Sequence, residues 1–414
     1  MPSFRVNSKL VPILTLCAGI VWAQSTPSPS PPTESPAPSP TQTTAQAPAN
    51  QAPAAATPAA PAQTPPPPPT TFSSSALRLD GIDFSGSVDG YYSFDDNHPQ
   101  SGFNQLYNFN DKTNQADLNL LKLTVSHDPD PVGFRLDLGY GRTMDIIHPP
   151  GSTDPDFFRY VEQAYISVKP KGWKGFEADF GDFVTSAGAE VIESKDNWNY
   201  SRSLLFALAI PYYHFGLRTS MPIGSSLNVG VQVVNGWNEI VNPYGGNMKT
   251  VGITGALTRK KYTWSNNYYI GPQYTATNNR NRALYDTTLL LTPSDKINAY
   301  LNFDYGQQRR LISGLDHWVG FAGALRFQLT KRFAISPRAE YYNDATGFTT
   351  GTVQKLHEVT ATGEYKMIDG LLGRLEFRRD GSNVPYFDHG TLPAVSKSET
   401  TLSVGMIAYF PIKH

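Results

Sequence analysis

The sequence predicts an all-β fold: a transmembrane, antiparallel, up-and-down β-barrel of about sixteen strands, preceded by a disordered segment rich in proline and alanine. Three observations lead to this prediction. Beyond residue 81, apolar and polar residues alternate with a period of two, and short connections alternate with long ones. After the first 23 residues there is no run of roughly 18 apolar residues, the length of a membrane-spanning helix. Without such helices a chain can cross lipid only as a closed barrel, because lipid offers no partners for backbone hydrogen bonds.

The first 23 residues have the pattern of a secretory signal peptide. Arg5 and Lys9 precede an apolar run over residues 10–22, and Val21 and Ala23 stand at the two cleavage positions. The alternative is a buried N-terminal helix, but a stretch that cannot pack follows at once. Signal peptide and barrel together predict a protein of the outer membrane in a Gram-negative cell envelope.

Residues 24–72 consist mainly of Pro, Ala, Ser, Thr and Gln and include an unbroken run of prolines, Pro65 to Pro69. This composition cannot bury a core, so we expect a solvated, disordered spacer in the periplasm with polyproline character. The alternative is a tether that contacts the cell wall. The barrel is expected over residues 80–414.

The composition excludes some classes of partner and site. A net charge of -1 and a pI near 6.7 leave no basic surface for nucleic acid. The single cysteine, Cys17, lies within the predicted signal peptide, so the mature chain cannot depend on disulfides. Neither a metal nor a cofactor is predicted, because His214 and His357 have no Cys or His partners at metal-ligand spacing.

The lengths of the connections between strands are the most informative feature of the sequence. Tight connections such as PIGSS, LTPSDK, QLTKR and MIDGL separate much longer ones. Short turns on one rim, long loops on the other and an even strand number are typical of outer-membrane barrels, whereas a soluble sandwich has no reason to alternate so regularly. The long connections are predicted at residues 95–113, 143–157, 184–210, 237–247, 272–280, 307–315, 343–352 and 381–397.

The two faces of the predicted strands favour lipid on the outside. In the strand HWVGFAGALRFQL, Val319, Phe321 and Leu325 share an apolar face, and Arg326 lies on the other. A membrane barrel has this inverted order, with lipid outside and water within. Aromatic residues near strand ends further predict interfacial girdles. They include Tyr91, Tyr92, Trp173, Tyr212, Tyr213, Trp237, Tyr341 and Tyr342.

A barrel of about sixteen strands is wide enough for an aqueous channel, so its function should depend on what narrows that channel. The longest loop within the barrel, residues 184–210, ends in the apolar run LLFALA. We expect it to fold into the lumen as a constriction, because exposure of so much apolar surface is unfavourable. An outward surface loop and packing against a neighbouring subunit are the alternatives. Its charged residues are Glu190, Glu193, Lys195, Asp196 and Arg202.

Charged residues on the predicted inner face should set the ion preference of the channel. Acidic and basic side chains on apposed walls would create a transverse field, and the balance of signs predicts weak selectivity. The alternative for each residue is an ion pair within the wall that stiffens the barrel. The basic residues are Arg135, Arg218, Arg326, Arg338, Arg374 and Arg378, and the acidic ones are Asp137, Glu177, Asp179, Glu340, Glu358 and Glu376.

No pattern in the sequence predicts an enzyme. Glu190 and Glu193 are three positions apart and could serve acid–base chemistry, but such pairs are common. The sequence has neither a GxSxG elbow nor a phosphate-binding glycine loop. No catalytic residue is therefore assigned.

From about residue 81 to its end, the sequence resembles the outer-membrane β-barrel porins of the OmpL-like group. The most specific matching stretch is GAEVIESKDNWNYSRSLLFALAIPYYHFGLR. Other matching stretches are PVGFRLDLGYGRTMDII, VEQAYISVKP, VVNGWN, NYYIGPQ, SPRAEYYND and LEFRRDGSN. The proline-rich spacer and the residues PIKH after Phe410 depart from the family pattern.

The resemblance implies a channel in outer-membrane lipid through which small hydrophilic solutes and ions diffuse, and it supplies no catalytic residues. Because wide barrels are commonly trimers, a homotrimer is expected. The rival interpretation is a structural or adhesive barrel whose extracellular loops bind a partner.

Overall fold

The computed structural model gives the fold of the predicted barrel and of most of its connections. The predicted signal peptide, the predicted spacer and the final PIKH lie outside the described residues, and side chains are described from residue 81 onward. The described residues are 77–79, 81–150, 152, 154–242, 248–273 and 280–410.

The described part of the chain is built almost entirely of strands. The first ten are β1 (Leu77–Leu79), β2 (Ile82–Asp95), β3 (Gln115–His127), β4 (Val132–Tyr140), β5 (Val161–Val168), β6 (Glu177–Val184), β7 (Tyr213–Ile223), β8 (Leu227–Val234), β9 (Thr250–Arg259) and β10 (Tyr262–Pro272). They are followed by β11 (Asn281–Ser294), β12 (Ile297–Arg309), β13 (Leu315–Gln328), β14 (Phe333–Asp344), β15 (Gln354–Ile368), β16 (Leu371–Ser382), β17 (Phe387–His389), β18 (Leu392–Ser396) and β19 (Ser398–Phe410).

Sixteen of these strands form one closed antiparallel barrel, which confirms the predicted fold class. Each strand from β2 to β16 pairs with its neighbours in chain order, and β19 pairs with β2 to close the sheet. The short β1 pairs with the start of β2, while β17 and β18 form a separate hairpin between β16 and β19. Closure leaves no edge of the sheet unpaired, as the interior of a bilayer requires.

Short and long connections alternate around the barrel. The exception is residues 310–314, where β12 and β13 extend further than the sequence pattern predicts and leave only a tight loop. The other long connections are residues 96–114, 141–160, 185–212, 235–249, 273–280, 345–353 and 383–397, and the short ones are 128–131, 169–176, 224–226, 260–261, 295–296, 329–332 and 369–370. The longest, residues 185–212, is called segment 185–212 below.

The strands have an outer face of exposed apolar side chains and an inner face of buried polar ones. On β13, Phe321 and Leu325 are 47% and 41% exposed, whereas Arg326 on the opposite face is 4% exposed. On β14, Ile335 is 37% exposed and Arg338 is 2% exposed. A soluble protein has the reverse arrangement, so these exposures fit a barrel that is surrounded by lipid.

Several aromatic residues that the sequence assigned to interfacial girdles lie inside the barrel instead. Tyr91 and Tyr342 are 4% and 0% exposed, while Tyr92 and Tyr341 beside them are 45% and 37% exposed. Successive residues of a strand face opposite sides, so only one tyrosine of each doublet can reach the lipid interface. Tyr212, Tyr213 and Trp237 are also buried, and Trp173 is 60% exposed.

Helical structure is confined to the connections. The α-helices are α1 (Arg142–Ile147) and α2 (Leu204–Leu208), and single 3₁₀ turns occupy Asp156–Tyr160 and Ser194–Asp196. The α2 helix begins where the hydroxyl of Ser203 accepts a hydrogen bond from the backbone N–H of Phe206, the standard N-terminal cap. Within the described residues, no helix has both the length and the apolar character needed to span a bilayer.

Candidate functional site

Segment 185–212 leaves β6, returns to β7 and on the way contacts inner-face residues of distant strands. The Ala189 N–H donates to Oδ1 of Asn302 on β12 at 3.2 Å. The Tyr200 hydroxyl donates to Oδ1 of Asp89 on β2 at 2.7 Å. These two contacts lie on different parts of the wall, so the segment reaches across the inside of the barrel.

Arg374 on β16 holds the middle of the segment through its backbone. One guanidinium nitrogen, Nη2, donates to the Asn197 carbonyl at 2.5 Å, and Nη1 donates to the carbonyls of Ser194 and Asn199 at 2.5 and 3.1 Å. The same guanidinium pairs with Glu364 on β15. Arg374 therefore stabilises one particular path of the segment, because a shifted backbone would leave its fixed, buried donors unpaired.

Glu376, two positions further along β16, fixes the next residues of the segment. Its two carboxylate oxygens accept hydrogen bonds from the backbone N–H groups of Tyr200 and Ser201 at 2.6 and 2.8 Å. The side-chain amide of Asn199 donates to the Ser336 carbonyl at 2.9 Å and to the Thr362 hydroxyl at 2.7 Å. Paired N–H groups bound to one carboxylate are a strong, oriented contact.

Arg338 on β14 joins the segment to a cluster of carboxylates. Its Nη1 atom is 2.7 Å from Oε1 of Glu190 and donates to the Ser201 carbonyl at 2.8 Å. Its Nε atom is 3.1 Å from Glu340, and Nη2 is 3.3 Å from Glu358. The guanidinium is fully buried, so these partners replace all of its water.

Arg378 and Arg202 complete the basic contacts of the segment. Arg378 on β16 pairs with Asp380, donates to the Arg202 carbonyl at 2.7 Å and lies 4.2 Å from the centre of the Tyr107 ring. Arg202 itself donates to the carbonyls of Val191, Ile192 and Tyr200, all within segment 185–212. Arg202 therefore stabilises the conformation of the segment itself.

The apolar end of the segment packs on apolar inner-face residues. Leu204 and Leu208 of α2 belong to a buried cluster with Trp318 on β13 and Tyr300 on β12. The indole N–H of Trp318 donates to the Ala209 carbonyl at 3.2 Å. The run LLFALA thus has a covered apolar surface to bind, which accounts for an apolar stretch in a connection.

Three carboxylates meet where the segment passes β4 and β5: two belong to the wall, and the third, Glu193, belongs to the segment. Asp137, Glu162 and Glu193 place oxygens within 4.8 Å of one another, an arrangement that could hold a metal ion. The Lys122 ammonium lies among them, 3.0 Å from Asp137 and 2.7 Å from Glu162, and also contacts Glu193. The positive charge that such a cluster needs is therefore supplied by the protein itself.

The remaining charged residues predicted from the sequence form pairs along the wall or at its rim. Arg135 is 3.0 Å from Asp137, Arg218 is 2.7 Å from Asp179, and Arg326 is 2.6 Å from Glu364. Glu177 pairs with Lys169, and Lys195 pairs with Asp196 in the segment. Acidic and basic residues thus neighbour one another, and in one case, Asp179 and Arg218, they are direct cross-strand partners.

Sequence reasoning missed several residues of this site. Lys122 and Asp89 contact the segment, Glu162 pairs with Lys122, and none of the three was singled out. The sequence does contain a signal for Lys122. It is the one charged side chain in the strand LNLLKLTVS, and it stands where the polar, inward face of that strand is expected. The partner of Tyr200 lies more than 100 positions away and leaves no local pattern.

Another buried carboxyl, that of Glu239, lies in the connection 235–249, near one end of the barrel. Oε1 of Glu239 accepts a hydrogen bond from Nε2 of Gln273 at 2.6 Å. Burial raises the pKa of Glu239 to about 8, although the attraction of Arg282 opposes the shift. The Arg282 guanidinium is held 4.7 Å from the centre of the Trp237 ring. The Glu239 carboxyl therefore changes charge near neutral pH.

Comparison with known proteins identifies a family that this chain matches. Residues 81–410 match the family described as beta-barrel porin-2, OmpL-like. A search of the curated proteins returned no match.

Solved porin structures share the fold at low sequence identity. The anion-selective porin from Comamonas acidovorans is 10% identical with a TM-score of 0.55, and the match covers 80% of this chain and 99% of that one. The outer-membrane channel DcaP of Acinetobacter baumannii is 10% identical with a TM-score of 0.56, covering 81% and 100%. The trimer form of OmpT from Vibrio cholerae is 11% identical with a TM-score of 0.52, covering 80% and 99%.

Proposed function

The chain belongs to the beta-barrel porin-2, OmpL-like family, and on that basis we propose that it is a diffusion channel narrowed by segment 185–212. Family and fold are those of outer-membrane porins, not of enzymes. In this proposal, small hydrophilic solutes and ions diffuse along a polar path between the segment and the inner face. No energy source is required, because each solute moves down its own gradient.

The observation that carries the proposal is the docking of segment 185–212 on the inner face. Arg338, Arg374 and Glu376 on the wall are at most 2% exposed, and each bonds to a residue of the segment. A segment held by buried charges across the lumen reduces its width at that level. Only solutes small enough to pass beside it would then diffuse, and polar ones would be favoured by the hydrophilic walls.

The same packing also supports the rival function, a barrel that the segment plugs and whose loops bind a partner. The favouring observation is the burial of Arg338 and Arg378, at 2% and 0% exposure. The two functions differ in one measurable property, the passage of solutes through an inserted barrel.

The test is solute entry into liposomes that contain the folded protein. Under the channel proposal, the liposomes swell with a pentose or a small amino acid and swell more slowly as the solute grows to a trisaccharide. Liposomes that contain inserted, protease-resistant barrels and do not swell with any of these solutes would support the plugged barrel instead. Liposomes with heat-denatured protein are the control for leaks.

The chain's assembly and targeting are part of the proposal. The Vibrio cholerae structure is described as a trimer, and we propose a trimer here, to be tested by native mass spectrometry of the detergent-solubilised protein. Residues 1–23 act as the signal peptide, and N-terminal sequencing of exported protein should begin after Ala23. Residues 24–72 form the spacer, and its deletion should reduce retention by cell-wall material only if it is a tether.

A further inference from the structure

We infer that one arc of the rim formed by the short turns binds the headgroups of anionic phospholipids. This arc, called the basic arc below, consists of the three consecutive turns 260–261, 295–296 and 329–332 and the strand ends beside them. The inference requires that the barrel is inserted in a bilayer, and it goes beyond the proposed function because it holds whether or not solutes pass through the lumen. The positive residues of the basic arc are Arg259, Lys260, Lys261, Lys296, Lys331 and Arg332.

The three turns lie side by side on one rim, because β9 to β14 pair in chain order. The backbone N–H of Thr292, near the end of β11, donates to the Lys261 carbonyl at 2.8 Å. The backbone N–H of Gln328, at the end of β13, donates to the Lys296 carbonyl at 2.8 Å. Each of these turns is thus bonded to the strand that leads into the next turn, and the positive residues belong to one continuous stretch of the rim.

The basic arc carries positive charge that the chain does not neutralise there. Its six basic residues are accompanied by one acid, Asp295, and all seven side chains are exposed. Within the part of the chain that the structure describes, none of the six forms a salt bridge with a carboxylate. The whole sequence has 34 basic and 35 acidic residues, so this excess is a local property of the rim.

Elsewhere on the same rim, basic side chains have acidic partners. Lys171 is 3.0 Å from Asp130 in the turn beside its own, and Lys366 is 2.7 Å from Asp369. Lys174 is exposed but is a single charge next to such a pair. Unpaired positive charge is therefore concentrated on the basic arc.

The apolar outer face of the barrel extends as far as the basic arc. Leu329 begins one of its turns and Ile297 follows another, and their side chains are 57% and 44% exposed. Trp264, three positions after Lys261, is 46% exposed. Tryptophan is favoured at the level of lipid headgroups, and lysine and arginine extend past an apolar surface to reach the phosphates. In a bilayer, the positive groups therefore lie at the level of the phosphates.

This position favours phospholipid over the cell-wall polymer as the partner. Short turns of outer-membrane barrels face the periplasm, so the basic arc meets the periplasmic leaflet. Side chains that directly follow the apolar outer face touch headgroups of that leaflet before they reach any polymer beyond it. Each lysine or arginine near a membrane surface adds to the attraction of negatively charged lipid.

The experiment compares spin-labelled phosphatidylglycerol with spin-labelled phosphatidylcholine at the surface of the barrel. The folded protein is inserted in phosphatidylcholine vesicles, and electron paramagnetic resonance measures the fraction of each labelled lipid that the barrel immobilises. For the wild type we expect a relative association constant of about five in favour of phosphatidylglycerol. It should fall toward one in about 1 M salt, because salt screens exposed charges. The direction of insertion does not matter, since both leaflets contain the labelled lipid.

Two variants with the same loss of charge locate the preference. The first removes three lysines of the basic arc and should lower the relative association constant about threefold. The control removes three lysines from the rest of the same rim and should lower it by less than about 1.5-fold. The first variant is Lys260→Gln, Lys261→Gln, Lys331→Gln, and the control is Lys171→Gln, Lys174→Gln, Lys366→Gln.

Each outcome bears on a separate claim. An inserted wild type with a relative association constant of one would overturn the inference and leave the channel proposal intact. A first variant that loses no more preference than the control would overturn the assignment to the basic arc. Wild-type protein that sediments with purified cell-wall sacculi through these lysines, without preferring phosphatidylglycerol, would assign the basic arc to the cell wall instead. Barrels that keep the lipid preference but do not conduct would contradict the proposed function alone.

Discussion

At the scale of single residues, Gly405 makes room for segment 185–212. A Cβ atom at this position on β19 would lie 2.4 Å from the Tyr200 ring. Tyr200 in turn donates its hydroxyl to Asp89 and its ring lies 6.0 Å from that of Tyr91. A side chain larger than hydrogen at Gly405 must therefore displace the segment from the wall.

Gly405→Leu should loosen the segment and raise the single-channel conductance, with an overpacking cost of about 1–3 kcal/mol. The matched control is Gly363→Leu on β15, where the nearest atom to a new Cβ is 3.6 Å away on the Phe333 side chain. Conductance that is equal in the two variants, with both barrels folded, would show that the Tyr200 contact does not set the width.

Arg338 is the residue whose loss should cost the most stability. Arg338→Met leaves Glu190, Glu340 and Glu358 buried without their common cation, which should lower the free energy of unfolding by about 3–5 kcal/mol. Urea unfolding in lipid vesicles, followed by tryptophan fluorescence, measures the change. The control is Arg379→Met, at an exposed arginine that donates to the hydroxyls of Ser398 and Thr400, and it should change the free energy of unfolding by less than about 0.5 kcal/mol. Equal losses would contradict the ion-pair account.

The raised pKa of Glu239 makes the local stability of its connection depend on pH. Burial raises the pKa of Glu239 from 4.5 to about 8, so between these values the folded chain holds a proton that the unfolded chain has released. The local stability is therefore complete at acidic pH and falls as the pH rises toward 8. Protection of the amides in residues 235–242 from hydrogen exchange should drop about a hundredfold from pH 6 to pH 9, where opening of this region exposes Glu239. In Glu239→Gln it should stay constant, and a parallel drop there would exclude Glu239 as the cause.

At the scale of elements, the strands could be predicted because the alternation of apolar and polar residues that identifies each strand lies within the strand itself. The alternation in HWVGFAGALRFQL identifies both faces of β13, and Phe321 and Arg326 lie on the predicted sides. The loop between β12 and β13 was predicted too long, because both strands extend to residues 310–314. Polar residues at a rim are compatible with strand and loop alike, so the pattern could not locate the strand ends.

The docking of segment 185–212 could be predicted only in part. Its apolar run indicated a covered surface, but the partners of Tyr200 and Asn199 are more than 100 positions distant in the chain. Such pairs depend on barrel closure and on the register between strands, which a single sequence does not specify. The tyrosine doublets were misassigned for a simpler reason: the period of two forces one member of each pair inward.

Spin labels along β13 test which face of this strand contacts lipid. The mature chain is expected to lack cysteine, so single cysteines can be introduced at positions 319–325 and labelled. Collision with oxygen, which dissolves in lipid, should be greatest at Val319, Phe321, Gly323 and Leu325 and least between them. A profile without a period of two would contradict the assignment of lipid to the outer face.

At the scale of the whole molecule, the barrel reverses the usual arrangement of a soluble protein. Apolar side chains are exposed on the outer face, and polar and charged side chains are buried on the inner face. Arg338, Arg374 and Glu376 bind the segment at the inner face. Under the proposed function, these contacts set the width of the path. The central claim is that a narrow aqueous path remains beside the docked segment.

Single-channel recording tests that claim most directly, with the wild type compared with a variant in which a short Gly-Ser linker replaces residues 187–208. The account predicts discrete current steps for the wild type and larger steps for the variant, because the linker frees the lumen. Lipid bilayers that stay silent with inserted, folded wild-type barrels, or steps of equal size in both proteins, would contradict it.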